Sequence, residues 1–292
     1  MTLHDRARAA RSQLAAAGIT GDEAARDADL LARHVLGCDL ATWLQRRAEA
    51  PPAGFDAAYA AIIERRARRE PVAYIRGRQE FWGRDFVVGP GVLIPRPETE
   101  FIVEEALAWA AAERPGGVLR VLDIGTGSGC LAVTLAIELA DAEVEATDIS
   151  AEALAVAREN ARRLGARVTF HHGSLASGVT GAFDVLVSNP PYIPEGDMAG
   201  LQPEVGVYEP RSALAGGLDG LDIVRQVIAE GARRLAAGGR LLVELGAGQA
   251  DTVAAIVADT EGLGLLRIRR DLQGVARTLV AERRPVPATC SE

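Results

Sequence analysis

The sequence predicts an α/β protein in which a mostly parallel sheet follows a small bundle of helices. From residue 118 onward, short apolar runs alternate with helical patterns, which is typical of a parallel sheet covered on both faces. The first 70 or so residues are rich in alanine and carry apolar residues at helical spacing. The last two apolar runs flank a short turn, so we expect the final strands to be antiparallel neighbours.

Length and composition bound the class of protein. The 292 residues suggest two domains or one large one, and the hydrophobic content of 48% is ample for a sizeable core. The net charge of -8 argues against binding of polyanions by bulk charge. Cys38, Cys130 and Cys290 form no metal-binding or disulfide pattern, so we expect no metal and a cytoplasmic location. We also expect no membrane partner, because neither a signal peptide nor a membrane-spanning run is present.

An N-terminal helical domain is expected over residues 1–70. Breaks at Gly18–Asp22, Gly37–Asp39 and Pro51–Gly54 divide it into helices. Its last helix, Ala57 to Arg69, ends in four arginines. Two interpretations of these arginines stay open. They form either a solvated face that complements the helix C-terminal dipole or a contact with an acidic or nucleic-acid-like partner.

A connector is expected over residues 71–97. The stretch from Pro71 to Gly77 leaves the helical pattern. Two short β-like runs between Glu80 and Val88, around a Gly-Arg-Asp turn, predict a hairpin.

A rigid, proline-rich loop follows from Gly89 to Glu100. Thr99 is expected to cap the next helix, which runs from about Glu100 to Glu113. The loop is either a domain linker or the wall of a site that includes Arg96, Glu98 and Thr99.

The alternating strands and helices form a third region over residues 98–284, and residues 285–292 read as a tail. The predicted strands are Leu119–Ile124, Glu143–Thr147, Arg167–His171, Phe183–Ser188, Arg240–Leu245, Leu265–Arg270 and Arg277–Ala281. The predicted helices are Cys130–Ala140, Ala151–Leu164, Leu221–Ala237 and Gln249–Asp259. Gly238 and Gly239 are expected to end the third of them.

The strand Phe183–Ser188 ends abruptly at Asn189-Pro190-Pro191-Tyr192. Because the prolines have fixed φ and no N–H group, this corner is expected to be stiff and extended at the carboxyl end of a strand. Ligands of open α/β sheets bind at that edge. Asn189 offers an amide and Tyr192 a flat aromatic face, so the corner suits a planar amide or amine. Seen alone, it is also compatible with a simple turn.

A glycine-rich turn, Gly125-Thr126-Gly127-Ser128-Gly129, follows the first strand of the sheet. Its backbone allows close approach of a ligand to a helix N-terminus, and Asp148, at the end of the second strand, is placed to bind a ribose diol. The pattern is compatible with a dinucleotide or with S-adenosylmethionine (SAM). The glycine spacing, and Asp123 before the turn where it can organise the loop and a ligand ammonium, favour SAM.

With these motifs the chain resembles, over almost its whole length, the protein-(glutamine-N(5)) methyltransferases that act on peptide chain release factors (PrmC/HemK family). The motifs that carry the resemblance are Gly91–Glu100, Asp123–Gly129, Ser188–Ile193, Tyr208–Arg211 and Gly216–Gly220. The resemblance implies a Rossmann-like SAM-dependent methyltransferase domain, and it implies that the N-terminal domain recognises the partner protein. The implied substrate is the glutamine of the Gly-Gly-Gln loop in class I release factors.

The resemblance also implies the site residues. The cofactor contacts would be Asp123, Gly125, Thr126, Gly127, Ser128, Gly129, Asp148, Ile149, Ser174, Leu175 and Asn189. The substrate contacts would be Arg96, Glu98, Asn189, Pro190, Pro191 and Tyr192, of which Asn189, Pro190 and Tyr192 are the catalytic set. One departure concerns the end of the third strand, where the family often has an acidic residue and an aromatic one. Here Ser174 and Leu175 would hold the adenine.

The hypothetical mechanism starts from the poor nucleophilicity of an amide nitrogen. The Asn189 side-chain oxygen and the Pro190 carbonyl each accept one N–H of the substrate amide, which aims its nitrogen at the SAM methyl and stabilises developing positive charge. Tyr192 packs on the amide plane, and the proton leaves to water. No metal is needed.

Two other functions stay open. An amino-methyltransferase acting on adenine in DNA or RNA would use the same corner for a flipped base. The acidic net charge argues against it, as does the lack of a further target-recognition domain, so we expect no stable nucleic-acid partner. A non-catalytic binding module is disfavoured by the intact glycine turn, Asp148 and Asn189. Nothing in the sequence demands an oligomer, so we expect a monomer.

Overall fold

The computed structural model describes residues 1–114 and 116–285, and the chain forms two compact units. The first unit comprises Met1–Arg78 and Leu201–Tyr208, and the second comprises Gln79–Gly200 and the chain from Glu209 onward. The segment Leu201–Tyr208 belongs to the first unit, although the sequence analysis assigned it to the region 98–284. Apart from Pro285, the expected tail lies outside the described residues.

The first unit is helical. Its helices are Leu3–Ala16, Gly21–Leu36, Leu40–Arg46, Phe55–Ala67, Val72–Arg76 and the short Pro203–Gly206. Their apolar faces enclose one core, in which Leu14, Leu31, Trp43 and Ile63 are almost fully buried. The helical spacing of these side chains explains why the sequence pattern predicted a bundle.

The helix Val72–Arg76 contradicts the prediction that the chain leaves the helical pattern after Pro71. Pro71 has φ of -59° and directly precedes the first turn, where its missing N–H costs nothing. Gly77 ends the helix in the left-handed conformation, with φ of 68°. A single turn between proline and glycine is too short to show a helical period in the sequence.

Neither interpretation of the arginines at the end of the helix Phe55–Ala67 holds for Arg66. Its side chain is buried and donates to Asp27 at 2.7 Å, to Glu23 at 2.9 Å and to Glu204 at 2.6 Å. Arg69 binds the same Glu204 carboxylate through two nitrogens. These ion pairs attach the segment Leu201–Tyr208 to the helical bundle, which explains why the chain returns to the first unit there.

The second unit contains a two-stranded hairpin and a seven-stranded sheet. The hairpin consists of β1 (Arg78–Phe81) and β2 (Arg84–Val87) and was predicted. The sheet strands are β3 (Arg120–Ile124), β4 (Glu143–Asp148), β5 (Val168–His172), β6 (Phe183–Ser188), β7 (Leu235–Glu244), β8 (Leu263–Arg270) and β9 (Ala276–Arg283). The helices of this unit are Glu100–Glu113, Cys130–Glu138, Ala151–Leu164, Asp222–Arg234 and Ala250–Asp259.

The sheet has the order β5-β4-β3-β6-β7-β9-β8. The strands from β5 to β7 are parallel, and β9 is antiparallel to both of its neighbours, so the predicted sheet is confirmed. Two apolar clusters cover the sheet, one around Val121 and Leu135 and the other around Leu122 and Val227. The carboxyl ends of β3, β4, β6 and β7 lie along one edge, which is where the functional side chains are found. None of the described helices is both long and apolar enough to cross a membrane.

The prediction of a helix from Leu221 to Ala237 was wrong at its carboxyl end. The helix ends at Arg234, and β7 begins at Leu235. The pairing shifts from Phe183 opposite Leu235 to Val185 opposite Arg240, so β7 contains a bulge around Gly238, whose φ is 76°. The two glycines that read as a helix stop therefore belong to a bulged strand.

Candidate active site

A cavity of about 280 Å³ lies at the carboxyl ends of β3, β4 and β6. The segments that line it include the loop after the hairpin, the glycine turn, the ends of β4 and β5, the corner after β6 and the stretch from Pro210 to Ala215. The lining residues that the sequence analysis singled out are Gly125, Thr126, Gly127, Ser128, Asp148, Ile149, Ser174, Leu175, Asn189, Pro190 and Pro191. Thus residues that are up to 66 positions apart in the chain, from Gly125 to Pro191, meet in one cavity.

The three glycines of the turn have different roles. All have positive φ, of 74° at Gly125, 55° at Gly127 and 82° at Gly129. A Cβ atom added at Gly125 or Gly127 would meet no protein atom within 4 Å, so both leave open space beside the cavity. A Cβ at Gly129 would lie 3.1 Å from the Cβ of Ala157. Gly129 therefore permits helix packing, and the other two permit a ligand to approach the backbone.

Asp148 lies at the end of β4 and supports the glycine turn. Its Oδ2 accepts a hydrogen bond from the Gly127 backbone nitrogen at 2.8 Å, and its Oδ1 accepts one from the Ser150 nitrogen at 2.8 Å. The carboxylate still has lone pairs for a diol. Together with the open glycine backbone, these donors and acceptors fit the ribose and the amino-acid part of SAM. Ile149, an exposed apolar side chain on the cavity lining, suits a ring face.

Asp123 lies behind the glycine turn and is not among the residues that line the cavity. Its Oδ2 accepts hydrogen bonds from the Thr126 hydroxyl at 2.7 Å and from the Ala132 nitrogen at 3.2 Å. Its Oδ1 is buried and has no partner among the described residues. Burial raises the pKa of Asp123 to about 7, with a smaller contribution from the negative charge of Asp148.

The Asn189 side chain has a defined orientation at the corner after β6. Its Nδ2 donates to the Thr99 hydroxyl at 3.0 Å. Within residues 1–114 and 116–285, no hydrogen bond reaches the Asn189 Oδ1 or the Pro190 carbonyl oxygen. Two acceptors on neighbouring residues are therefore available at the cavity.

Thr99 does not cap the following helix as predicted. Its backbone is already helical, and its side chain makes no cap hydrogen bond. The hydroxyl instead donates to the Oε2 of Glu244 at 2.6 Å. The turn Pro97–Thr99 is a 3-10 helix that leads directly into Glu100–Glu113, and Thr99 is one of the residues that line the cavity.

Close packing of glycines braces the corner from outside. The backbone nitrogen of Ile193 donates to the Leu214 carbonyl at 2.9 Å, and the backbone nitrogen of Gly216 donates to the Ile193 carbonyl at 2.9 Å. A Cβ added at Gly220 would lie 2.3 Å from the Tyr192 carbonyl oxygen. The glycines of the stretch Gly216–Gly220 therefore let this loop pack directly against the corner.

Comparison with known proteins identifies the family of this chain. The family model described as PrmC N-terminal domain matches residues 7–77, and the one described as Methyltransferase small domain matches residues 110–201. A release factor glutamine methyltransferase of Cereibacter sphaeroides is 44% identical over 287 residues, which cover 98% of this chain and 99% of the relative. The chain belongs to the release factor glutamine methyltransferase family. It is a SAM-dependent methyltransferase, as the sequence predicted.

A further relative supports the family, and a solved structure supports the fold. A release factor glutamine methyltransferase of Geobacter sulfurreducens is 53% identical over 205 residues, or 70% of each chain. A solved methyltransferase from Pyrococcus furiosus has a TM-score of 0.51 at 20% identity, covering 76% of this chain and 99% of that one, and shows the same fold.

The structure of this family member does not bring every predicted site residue to the cavity. Gly129, Asp123, Tyr192, Arg96 and Glu98 are not among the lining residues. The Tyr192 hydroxyl donates to the Oε1 of Glu244 at 3.1 Å, and its ring packs against the core. Burial raises the pKa of this phenol above its ordinary value. The ring is thus held beside the site.

Arg96 stabilises the proline-rich loop through an ion pair and does not line the cavity. It forms an ion pair with Glu209, whose other oxygen accepts a hydrogen bond from the Ile94 nitrogen at 3.2 Å. Glu209 is buried, and this burial raises its pKa. The pair holds the loop so that Pro95 and Thr99 line the cavity.

Sequence reasoning missed several residues of this methyltransferase site. The largest omission is Glu244, the buried carboxylate that receives the hydroxyls of both Thr99 and Tyr192. It ends an apolar strand in the same way that Asp148 ends β4, and that position was a usable signal. The part of the cavity wall formed by Ser212, Ala213 and Ala215 carries no chemical pattern of its own.

Proposed function

We propose that this enzyme transfers a methyl group from SAM to the side-chain amide nitrogen of the glutamine in the Gly-Gly-Gln motif of class I peptide chain release factors. The observation that carries the proposal is the pair of free acceptors at the cavity, Asn189 Oδ1 and the Pro190 carbonyl. A primary amide has two N–H donors in one plane, and this pair matches them. The substrate class agrees with that of the relatives, which are release factor glutamine methyltransferases.

The cofactor half of the site rests on the turn after β3. Gly125 and Gly127 leave their backbone open, and Asp148 offers acceptors for a diol. Asp123 holds the turn through Thr126. When bound, SAM supplies an electrophilic methyl group whose sulfonium is its own leaving group, so no metal or covalent nucleophile is required.

The acceptor half orients a weak nucleophile. Asn189 Oδ1 and the Pro190 carbonyl would each accept one N–H of the substrate amide, which fixes the plane of that amide and the direction of its nitrogen lone pair. As the nitrogen gains positive charge, both hydrogen bonds strengthen. The methylated nitrogen then loses one proton to water. The Tyr192 ring would lie beside the substrate amide, while its hydroxyl keeps its hydrogen bond to Glu244.

Other parts of the proposal concern the setting of the reaction. The helical domain, residues 1–70 in the sequence-based division, would recognise the release factor. Arg96 and Glu98 would contribute to substrate binding as parts of the proline-rich loop that also carries Thr99. The enzyme would act in the cytoplasm as a monomer, without a stable nucleic-acid or membrane partner, in keeping with its net charge of -8.

The proposal is tested by transfer of labelled methyl from SAM. A purified class I release factor, the same factor with its Gly-Gly-Gln glutamine replaced, and single-stranded and duplex DNA are offered in parallel. We expect label on the intact factor alone. Label on DNA would overturn the protein substrate and support adenine methylation. Label on both forms of the factor would place the acceptor at another residue.

A further inference from the structure

Glu244 is a buried carboxylate beside the proposed acceptor site. It is not one of the residues that line the cavity, so direct contact with a ligand does not explain its presence. Its exposed fraction is 2%, and it lies at the carboxyl end of β7. Both oxygens accept hydrogen bonds from hydroxyl groups, Oε2 from Thr99 at 2.6 Å and Oε1 from Tyr192 at 3.1 Å. None of the ion pairs found among residues 1–114 and 116–285 includes it. Burying an unpaired carboxylate is costly, so a compensating function is expected.

The hydrogen-bond chain from Glu244 has a fixed direction. When Glu244 is ionised, its carboxylate only accepts hydrogen bonds, so the single hydroxyl proton of Thr99 must then point to Glu244. The Thr99 oxygen can then only accept from Asn189, which forces the Asn189 amide to turn its Nδ2 toward Thr99. The Oδ1 is thereby left on the other side, where the cavity lies. One buried charge thus decides which end of the Asn189 amide the substrate meets.

We propose that Glu244 is a positioning residue for methyl transfer, which acts through Thr99 to hold the Asn189 side-chain oxygen toward the substrate amide. This inference rests on the proposed function. A flipped Asn189 amide would place an NH₂ group against the N–H of the substrate, and two donors facing each other repel. Without the carboxylate, both orientations of the amide are open, and only one of them accepts the substrate.

The surroundings of Glu244 act on its ionisation in opposite directions. Burial raises its pKa above the ordinary glutamate value, while the hydroxyls of Thr99 and Tyr192 favour the ionised form. Among charged neighbours, Glu98 opposes ionisation and Arg277 favours it. The hydroxyl of Thr99 is itself buried, so water does not compete for the link.

The first experiment uses steady-state kinetics with three variants of the full chain. Glu244→Gln removes the charge but keeps the shape, Thr99→Val removes the link, and Thr99→Ser retains it. We expect kcat to fall about 10- to 100-fold in the first two variants and less than about 3-fold in Thr99→Ser. The Kd for SAM should stay within about 3-fold in all three, because none of these groups belongs to the cofactor half of the site.

The double variant Glu244→Gln/Thr99→Val separates positioning from a general structural role. If Glu244 acts through Thr99, kcat of the double variant should lie within about 3-fold of the worse single variant, because the two changes break the same chain. Losses that multiply, or a fall in kcat matched by an equal loss of SAM affinity, would overturn the proposal. So would wild-type turnover in Glu244→Gln.

A second experiment does not depend on the substrate. The chain contains two asparagines, Asn160 and Asn189, so selective ¹⁵N-asparagine labelling gives two side-chain NH₂ groups in an NMR spectrum. Asn160 is an internal reference, since its Nδ2 donates to the carbonyls of Ser128 at 2.8 Å and Val87 at 3.0 Å. We expect Thr99→Val and Glu244→Gln to accelerate proton exchange at the Asn189 amide at least about 10-fold relative to Asn160, and Thr99→Ser not to.

The two experiments distinguish the failure of this proposal from that of the function. If the wild type transfers no methyl to a release factor but the NMR pattern is as expected, the proposed function is wrong and the orientation of Asn189 by Glu244 stands. Unchanged exchange at Asn189 in both Thr99→Val and Glu244→Gln would overturn the positioning role, whatever the acceptor.

Discussion

The carboxylate of Asp148 accepts a hydrogen bond from the backbone nitrogen of Gly127 at 2.8 Å. The end of β4 thereby supports the middle of the glycine turn that follows β3, its parallel neighbour in the sheet. Two strands that end at the same edge thus build one half of the site. The contact leaves the other side of Gly127 open to the cavity, and this geometry makes the contribution of each glycine testable.

Gly127→Ala should weaken SAM binding much more than it destabilises the fold. A Cβ at this position would project into open space beside the cavity and obstruct the cofactor, so we expect Kd for SAM to rise at least about 10-fold. The left-handed φ of 55° should cost roughly 1–2 kcal/mol of unfolding free energy. Calorimetric titration with SAM and chemical unfolding measure the two effects.

Gly165→Ala and Gly129→Ala are the matched controls. Gly165 has φ of 73° and open surroundings but lies outside the cavity lining, so its variant should show the backbone strain alone, with normal SAM affinity. Gly129→Ala should be the least stable of the three because its Cβ would press on Ala157. Equal SAM affinity in Gly127→Ala and Gly165→Ala would contradict the placement of the cofactor.

Asn189→Ala should abolish turnover while leaving SAM binding nearly intact. It removes the acceptor that orients the substrate amide, for which we expect a loss in kcat of about 100- to 1000-fold. The glycine turn and Asp148 do not depend on this side chain, so Kd for SAM should change less than about 3-fold. Single-turnover methyl transfer and SAM titration give the two values. Retained turnover with weakened SAM binding would assign Asn189 to the cofactor instead.

The buried carboxyl of Asp123 should make the stability of the SAM-free protein fall as the pH rises toward neutrality. Burial raises its pKa from 3.8 to about 7 in the folded state, so the folded protein holds a proton that the unfolded chain has already lost. The stabilisation is complete below the unfolded pKa and disappears as the pH passes the folded pKa. Between about pH 5 and pH 8, we expect this group to lower the unfolding free energy by about 2–3 kcal/mol.

Chemical unfolding of the wild type and of Asp123→Asn at both pH values checks this expectation. The variant keeps an oxygen that can accept from Thr126 and Ala132 but does not titrate. Its unfolding free energy should therefore depend less on pH than that of the wild type. Parallel pH dependences for the two proteins would show that Asp123 is ionised throughout the range.

Arg66→Ala should destabilise the first unit strongly. The guanidinium is almost fully buried and bound to Asp27, Glu23 and Glu204, so its removal leaves Asp27 and Glu23 without this partner, while Glu204 keeps Arg69. We expect a loss of about 3–5 kcal/mol of unfolding free energy. Thermal unfolding is the measurement, and Arg68→Ala is the control. Arg68 is paired with Glu64 on the surface, so its variant should lose less than about 1 kcal/mol.

The parts of the fold that the sequence predicted well are those with a repeating pattern. Alternation of apolar runs and helical periods located the strands from β3 to β7, and turn residues located the hairpin. Predictions failed where a local signal had two meanings. Gly238 and Gly239 read as a helix stop but belong to the bulge in β7, because a left-handed glycine serves both structures.

The candidate site was predicted where a motif carries its own chemistry. The glycine turn, Asp148 and the Asn-Pro-Pro corner line one cavity, as carboxyl ends of neighbouring parallel strands must. Thr99 was predicted both to cap the following helix and to belong to a site wall. It makes no cap hydrogen bond, but it lines the cavity and links Asn189 to the carboxylate of Glu244.

The sequence by itself determined the fold class, the cofactor turn and the residues of the corner, because these depend on short-range patterns and strand order. Only the tertiary structure decided that Glu244, 55 residues after Asn189, lies behind Thr99 and Tyr192. It likewise decided that Arg66 is buried against Glu204, 138 residues away. Such partners have no fixed spacing in the chain, since hydrogen bonds and ion pairs between elements depend on how the elements pack.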